Sequence, residues 1–342
     1  MKRARLQALL ERCAQLTVLV VGDFFLDRYL HIDEALAEPS LETGLVEHQV
    51  VQVTCSPGAA GTVAVNLRAL GVRVRAMGVA GVDGEGHDLL QALAAHAIDT
   101  AHLLQVRGLR TPAYYKPMLR STDQVRELNR MDIKNREALP DAVQRELCSR
   151  LHGVLEDVQG VIIADQVVQP ECGVIGSRMR AELMLAAAAH PQLVFAADSR
   201  ARIAAFRNVL LKPNQHEALA ATGRNPTATD LVSLAAAGAE LQALCGRAVC
   251  ITLAERGVLL CTASGTQHIE PRTIYGPTDP VGAGDAFMAA LTAALGAGAE
   301  LPEAAELGNL AASITAAQLG TTGTASVAQM LGGVENYRSM CW

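Results

Sequence analysis

The residues best suited to chemistry stand together late in the chain: Thr278, Asp279, Pro280, Val281, Gly282, Ala283, Gly284, Asp285, Ala286 and Phe287. The glycines stop where an Ala- and Leu-rich helix is expected, over about residues 288–297. Without side chains at Gly282 and Gly284, backbone amides can come close to a ligand and join the positive end of the helix dipole, which makes an anion site. Phosphate fits such a site. Asp285 stands beside it, where a carboxylate can accept the proton of an attacking hydroxyl as a phosphoryl group passes in line. The same residues also suit a tight turn in which Asp285 caps a helix, so phosphoryl transfer needs support from the rest of the chain.

The elements that must position these residues are read from the hydrophobic pattern. Residues 17–21 form a short apolar, β-branched run ending at Gly22 and Asp23, the mark of a buried parallel strand that opens into a loop. Similar runs recur at 73–79, 161–164, 193–197, 209–211, 249–253 and 257–261. Between most of them lie Ala- and Leu-rich stretches with helical spacing, at 88–96, 178–189 and 229–244. This alternation predicts an α/β fold with a doubly wound, mostly parallel sheet flanked by helices. Residues 48–54 and 113–119 break the rhythm, since they loosely alternate apolar and polar side chains and end in turns. They suit a small antiparallel β lid that excludes water from the reaction, or an ordinary edge hairpin. The spans 28–55 and 110–132 would supply its strands. No repeat or linker interrupts the chain, so residues 1–342 are read as one domain.

Composition narrows the function classes. Half of the 342 residues are hydrophobic but only 3% are aromatic, so Ala, Leu and Val must build most of the core. A formal charge of −6 offers no overall attraction to nucleic acid or to an anionic membrane surface. The eight cysteines (Cys13, Cys55, Cys148, Cys172, Cys245, Cys250, Cys261 and Cys341) include no CxxC pair and no zinc-ligand spacing with His, which fits reduced thiols. Glu11 and Arg12 interrupt the first apolar stretch, against a signal peptide, and no run reaches the length of a membrane span. A cytoplasmic protein acting on small molecules is expected.

The 279–287 run resembles the Asp-Thr-x-Gly-Ala-Gly-Asp-x-Phe signature of ribokinase-type (PfkB-type) carbohydrate kinases, and the resemblance extends over roughly residues 18–324. It implies a ribokinase-like fold, with Asp285 as general base and the amides of Gly282, Ala283 and Gly284 as anion hole. Pro280 departs from the usual Thr, beside Asp279, which would help build a monovalent-cation (K⁺) site found in some members. Asn214 to Glu217 match an Asn-x-x-Glu signature. Asn214 would donate to a phosphate of ATP and Glu217 would hold the water shell of Mg²⁺, which favours oxygen ligands; the pair equally suits a plain helix start. Thr252 to Gly257 are similar to a Thr-x-Gly-x-x-Gly turn along the nucleotide, with Ala254 in place of the first glycine. Asn309 and the turn at Gly320 and Thr321 match a segment flanking adenine. The stretch from Gly78 to Gly86 lacks the spacing of a dinucleotide fingerprint and reads as a structural strand-to-helix turn.

For the acceptor, Asp27 matches an early Asp that would hold sugar hydroxyls. Gly58, Ala59 and Thr62 fall in a segment resembling the Gly-Gly-x-x-Asn hinge of the lid, with Ala59 replacing a glycine and Thr62 the Asn. The layout is closest to the heptose-phosphate kinase branch, through residues 22–29, Arg110-Thr111-Pro112 with Lys116, Arg130-Met131-Asp132, Asp165 and Asp198-Ser199-Arg200. Lys116, Arg110, Arg200 and Arg202 suit an acceptor phosphate. The leading reading is an ATP- and Mg²⁺-dependent kinase for a sugar or sugar phosphate, with the resemblance also suggesting a homodimer joined through the lid strands. A nucleoside kinase shares every part except the acceptor pocket. A non-catalytic relative that binds a nucleotide or a partner draws on Pro280, Ala254, Ala59 and Thr62.

Overall fold

A nine-stranded sheet forms the body of the computed structural model, which describes residues 1–339 except 123, 273, 275, 320 and 321, with side chains as far as residue 333. Its strands run in the order Gly265–Ile269, Val258–Thr262, Val249–Thr252, Leu210–Leu211, Val194–Ser199, Gly160–Asp165, Thr17–Gly22, Arg73–Gly81 and Asp99–Val106. Val258–Thr262 is antiparallel to both of its neighbours, and all the other pairs are parallel. Helices cover both faces, which is why the strands read as continuous apolar runs. Successive side chains point to opposite faces: Val18 and Val20 pack in a core layer with Phe287 and Leu291, whereas Leu19 and Val21 pack in the other with Leu151 and Leu183.

The strands expected from apolar runs are all present, within a residue or two at their ends. Asp99–Val106 and Gly265–Ile269 were not expected, because they lie at the two edges of the sheet and each buries only one residue fully. The first sixteen residues also belong to the body. Arg3–Cys13 is a helix that buries Leu6, Leu9, Leu10 and Cys13 at helical spacing. All seven described cysteines are free thiols, and Cys341 lies outside the described residues. Among the described residues no helix is long and apolar enough to cross a membrane.

The lid is a second, five-stranded sheet in the order Met131–Ile133, Ala113–Arg120, Phe24–Asp33, Val50–Ala59, with Val125–Glu127 also pairing Ala113–Arg120. The two segments anticipated as its strands do not pair with each other. Phe24–Asp33 stands between them, antiparallel to Val50–Ala59 and parallel to Ala113–Arg120. Its polar residues Asp27, Arg28 and His31, following Gly22 and Asp23, gave it the look of a loop.

The lid joins the body at Ala59, where Val50–Ala59 gives way to the Ala60–Ala69 helix, and there the backbone takes φ +54° and ψ −118°. A side chain disfavours that region, at about 1–3 kcal/mol. Ala254, where the resemblance also calls for glycine, has φ +54°. Ala59→Gly and Ala254→Gly should therefore each stabilise the protein by about 1 kcal/mol, the relief of strain exceeding the added entropy of the unfolded chain. Denaturant melts check this, and an unchanged or lowered midpoint in both variants would show that neither alanine is strained.

Candidate active site

The carboxyl ends of the parallel strands open into a cleft of about 580 Å³. Asp198, Lys212 and Thr252 reach it from the ends of neighbouring strands, the usual place for a ligand in a doubly wound sheet. Ala283, Gly284 and Asp285 enter it from the other side.

The helix carrying Asp285 begins at Ala283 and ends at Gly296, about five residues earlier at its start than the glycines suggested. Burial of Ala286, Phe287 and Met288 extends it backwards, since these residues gain more from the core than the glycines lose in a helical turn. Gly282 is its N-cap, with φ +81°, and an added Cβ would lie 2.8 Å from the Thr322 methyl carbon. Only glycine takes that conformation and that space at no cost. Asp285 consequently sits in the first turn, beside the amides of Gly282 and Gly284, while the Ala283 amide, expected with them, donates to Pro280 O at 3.1 Å.

Asp285 keeps part of its surface open to the cleft, yet protein surrounds its carboxylate. Burial pushes its pKa up to about 7, the Asp198 carboxylate adds to the rise, Lys212 and Arg200 oppose it, and Asp27 adds a smaller push. Lys212, which the sequence reading passed over, is 4% exposed and pairs with Asp198 Oδ2 at 3.0 Å. Burial alone would lower its pKa, but Asp198 and Glu217 outweigh that and hold it raised. The available signal was a lysine closing an apolar strand immediately before Pro213, a place where lysine is rarely buried without a partner.

Asn214, Glu217, Thr252, Gly257 and Asn309 all line the same cleft. Asn214 and Glu217 form a capping box for the Gln215–Ala221 helix: Asn214 Oδ1 accepts from the Glu217 amide at 2.9 Å, and Glu217 Oε2 accepts from the Asn214 amide at 2.8 Å. Burial raises the Glu217 pKa, and Asp198 raises it further. The Thr252 amide donates to Pro213 O, tying the two loops together. Asn309 is buried and donates to Glu270 O at 3.2 Å. Gly320 and Thr321 lie outside the described residues. Asp279 is held by its own turn, its Oδ1 accepting from the Val281 amide and its amide donating to Ala316 O at 2.8 Å.

Asp27, Gly58, Thr62 and Lys116 gather where the lid meets the body. Asp27 is buried, with Oδ2 3.1 Å from Lys116 Nζ and Oδ1 without a hydrogen-bond partner among the described residues. A Cβ on Gly58 would come within 3.1 Å of the Asp27 carboxyl carbon, so the lid strand presses bare backbone against that carboxylate. Lys116 also donates to the Tyr29 hydroxyl at 3.3 Å. Thr62 is buried and donates to Pro57 O, and its methyl would lie 3.6 Å from a Cβ on Gly282. The lid group thus abuts Gly282 at the start of the Ala283–Gly296 helix.

Of the basic residues considered for an acceptor phosphate, Arg202 is corrected: it donates to Asp165, to Val167 O and to Val168 O, which fixes the loop after Gly160–Asp165. Asp23 holds the same loop by accepting from the amides of Gln166, Val167 and Val174 at 2.7–3.0 Å, and burial outweighs these bonds to push its pKa up to about 6. Arg110 meets Asn135 through its main chain. Arg200 is exposed, donates to Gln166 Oε1 and lines both the main cleft and a neighbouring cavity of about 80 Å³ that Tyr114, Lys134 and Asn135 also line. Thr111 is buried against Asp83, which caps the Gly84–Ala95 helix, in keeping with a structural role for the Gly78–Gly86 turn.

The family model described as pfkB family carbohydrate kinase matches residues 18–328. The bifunctional protein HldE of Trichlorobacter lovleyi is 32% identical over 98% of this chain and 66% of that protein, and HldE of Shewanella amazonensis is 32% identical over 89% and 61%. The chain therefore spans less than two thirds of the length of these relatives. Among solved structures, phosphofructokinase-2 from Escherichia coli in complex with potassium superposes with TM-score 0.70 at 20% identity, covering 95% of this chain and 99% of that one. Arabidopsis thaliana ribokinase complexed with ribose and ATP gives TM-score 0.70 at 17% identity, covering 94% and 99%.

Proposed function

The chain belongs to the pfkB family of carbohydrate kinases, and from that premise we propose that it transfers the terminal phosphoryl group of ATP to a hydroxyl of a small sugar or sugar phosphate. The carrying observation is Asp285, a carboxylate poised to titrate near neutrality in the first turn of a helix whose glycines present free amides. ATP would lie along the cleft between Asn214, Thr252, Gly257 and Asn309. The acceptor would reach Asp285 from the lid side, with Asp27 Oδ1 accepting a sugar hydroxyl beside Gly58, Ala59 and Thr62. Asp285 takes the hydroxyl proton, and the amides of Gly282 and Gly284 receive the charge that develops on the phosphoryl oxygens, the Ala283 amide being held by Pro280 O. Lid closure excludes water.

Glu217 presents a carboxylate on the cleft wall, which suits Mg²⁺ held through water, the ion supplying charge neutralisation between the ATP phosphates. Asp279 would serve a monovalent cation such as K⁺. With Lys116 committed to Asp27, Arg202 to Asp165 and Lys134 to Asp132, Arg200 at the smaller cavity is the cation offered to an acceptor phosphate, and the similarity to the heptose-phosphate kinase branch makes a heptose phosphate the first acceptor to try. The outer lid strand, Val50–Ala59, ends its sheet with Val50, Val51 and Val53 exposed, an edge suited to a homodimer in the cytoplasm.

ADP release from Mg·ATP, measured against hexoses, heptoses, their monophosphates and nucleosides, tests this reading. A response confined to phosphorylated sugars is expected. A nucleoside response would move the acceptor class, and no response together with no ATP binding would defeat the kinase reading.

A further inference from the structure

Lys212 has no place in the chemistry described so far, yet its position is costly to maintain. An ammonium removed from water must be paired, and Lys212, 4% exposed, pairs with Asp198 at 3.0 Å. That pair could have been replaced by apolar residues at little cost in stability. It is also aimed at the anion site. A Cβ built on Gly284 would lie 3.6 Å from Lys212 Nζ, so the ammonium rests against a part of the helix start that carries no side chain. Both residues line the cleft. An ammonium has three donors; Asp198 takes one, and the other two have no hydrogen-bond partner among the described residues.

We propose that Lys212 is a further catalytic residue, whose ammonium meets the terminal phosphoryl group of the nucleotide beside the Gly284 amide while Asp198 holds it in place. The inference rests on the kinase reading above. In the step it serves, the acceptor oxygen bonds to the terminal phosphorus as Asp285 takes the hydroxyl proton. The bond from that phosphorus to the bridging oxygen breaks, its electron pair leaving with ADP. Lys212 keeps its proton throughout and neutralises charge on the transferring group, as a fixed charge inside a dry cleft does most effectively. Glycine at 284 leaves the path between ammonium and phosphoryl group open.

The position of the charge makes a prediction that needs no known acceptor. A cation at the terminal phosphate is felt by a triphosphate and not by a diphosphate. Calorimetric titration of wild type and Lys212→Met with ADP and with adenylyl-imidodiphosphate, each with Mg²⁺, should show the triphosphate analogue losing about tenfold more affinity than ADP, the scale of one charge-assisted contact. With an acceptor in hand, kcat should fall about 10²- to 10³-fold, the usual effect of removing one such donor. Should Lys212→Met fail to fold, Lys212→Met/Asp198→Asn removes the buried pair together and is read by the same ratio. If both nucleotides bind the variant with their wild-type ratio, Lys212 is a structural ion pair and the proposal is overturned. If wild type binds neither nucleotide, the kinase reading itself falls and takes this inference with it.

Discussion

Asp285→Asn should lower kcat by about 10³-fold, within the range for loss of a general base, while leaving ATP affinity close to that of the wild type. The amide is nearly isosteric and keeps the helix start intact, but it cannot take the hydroxyl proton. The wild-type kcat/KM should rise with pH through a limb centred near 7, because Asp285 acts ionised and its pKa is pushed up to about 7 by burial and by Asp198. Stability has the opposite dependence. The folded-state pKa lies above the ordinary 3.8, so between roughly pH 4 and 7 the native protein holds a proton that the unfolded chain has released, and stability falls as pH rises through that window. Above it, burying the ionised carboxylate costs up to about 4 kcal/mol. Asp285→Asn escapes that cost, so it should be more stable than wild type at pH 8.5 and show little advantage at pH 4. Rate profiles and denaturant melts at the two pH values check both signs. A variant within tenfold of wild-type kcat would remove Asp285 from the mechanism.

Asp27→Ala should lower kcat/KM for the acceptor by about 10²-fold or more, the scale of losing a charged hydrogen bond to a positioned hydroxyl together with the alignment it gives. It should also destabilise the protein by about 3–5 kcal/mol, because it leaves Lys116 buried without its carboxylate. The two effects separate in the double variant Asp27→Ala/Lys116→Met. Removing the pair together should restore most of the stability, whereas acceptor selection should remain lost. Nucleotide affinity should change little in either, since Asp27 stands on the lid side. Full recovery of kcat/KM in the double variant would mean that Asp27 only balances Lys116 and does not touch the acceptor.

Much of the fold was legible because it rests on short-range rules. A parallel strand covered on both faces must be apolar at every position, so the runs at 17–21, 161–164 and 249–253 declared themselves. The sheet-edge strands Asp99–Val106 and Gly265–Ile269 escaped because a half-exposed edge needs no such run. Phe24–Asp33 fell only in part within the 28–55 span expected to supply lid strands, for a different reason. Its neighbours lie far along the chain on both sides, and no local pattern says that a segment carrying Asp27, Arg28 and His31 will become the middle strand of a second sheet.

The candidate site divides along the same line. The sequence by itself determined that Gly282, Ala283, Gly284 and Asp285 stand together at a helix start, because they are contiguous and the glycines stop where the helix begins. Only the tertiary structure decided which charges surround them. Lys212 and Asp198 end neighbouring strands, Arg202 is drawn to Asp165, and Lys116 is drawn to Asp27 across the parallel lid pairing. A charged side chain carries no mark of its partner in the sequence, since whether it is solvated, paired or aimed at a ligand depends on burial and on residues brought close by the sheet order.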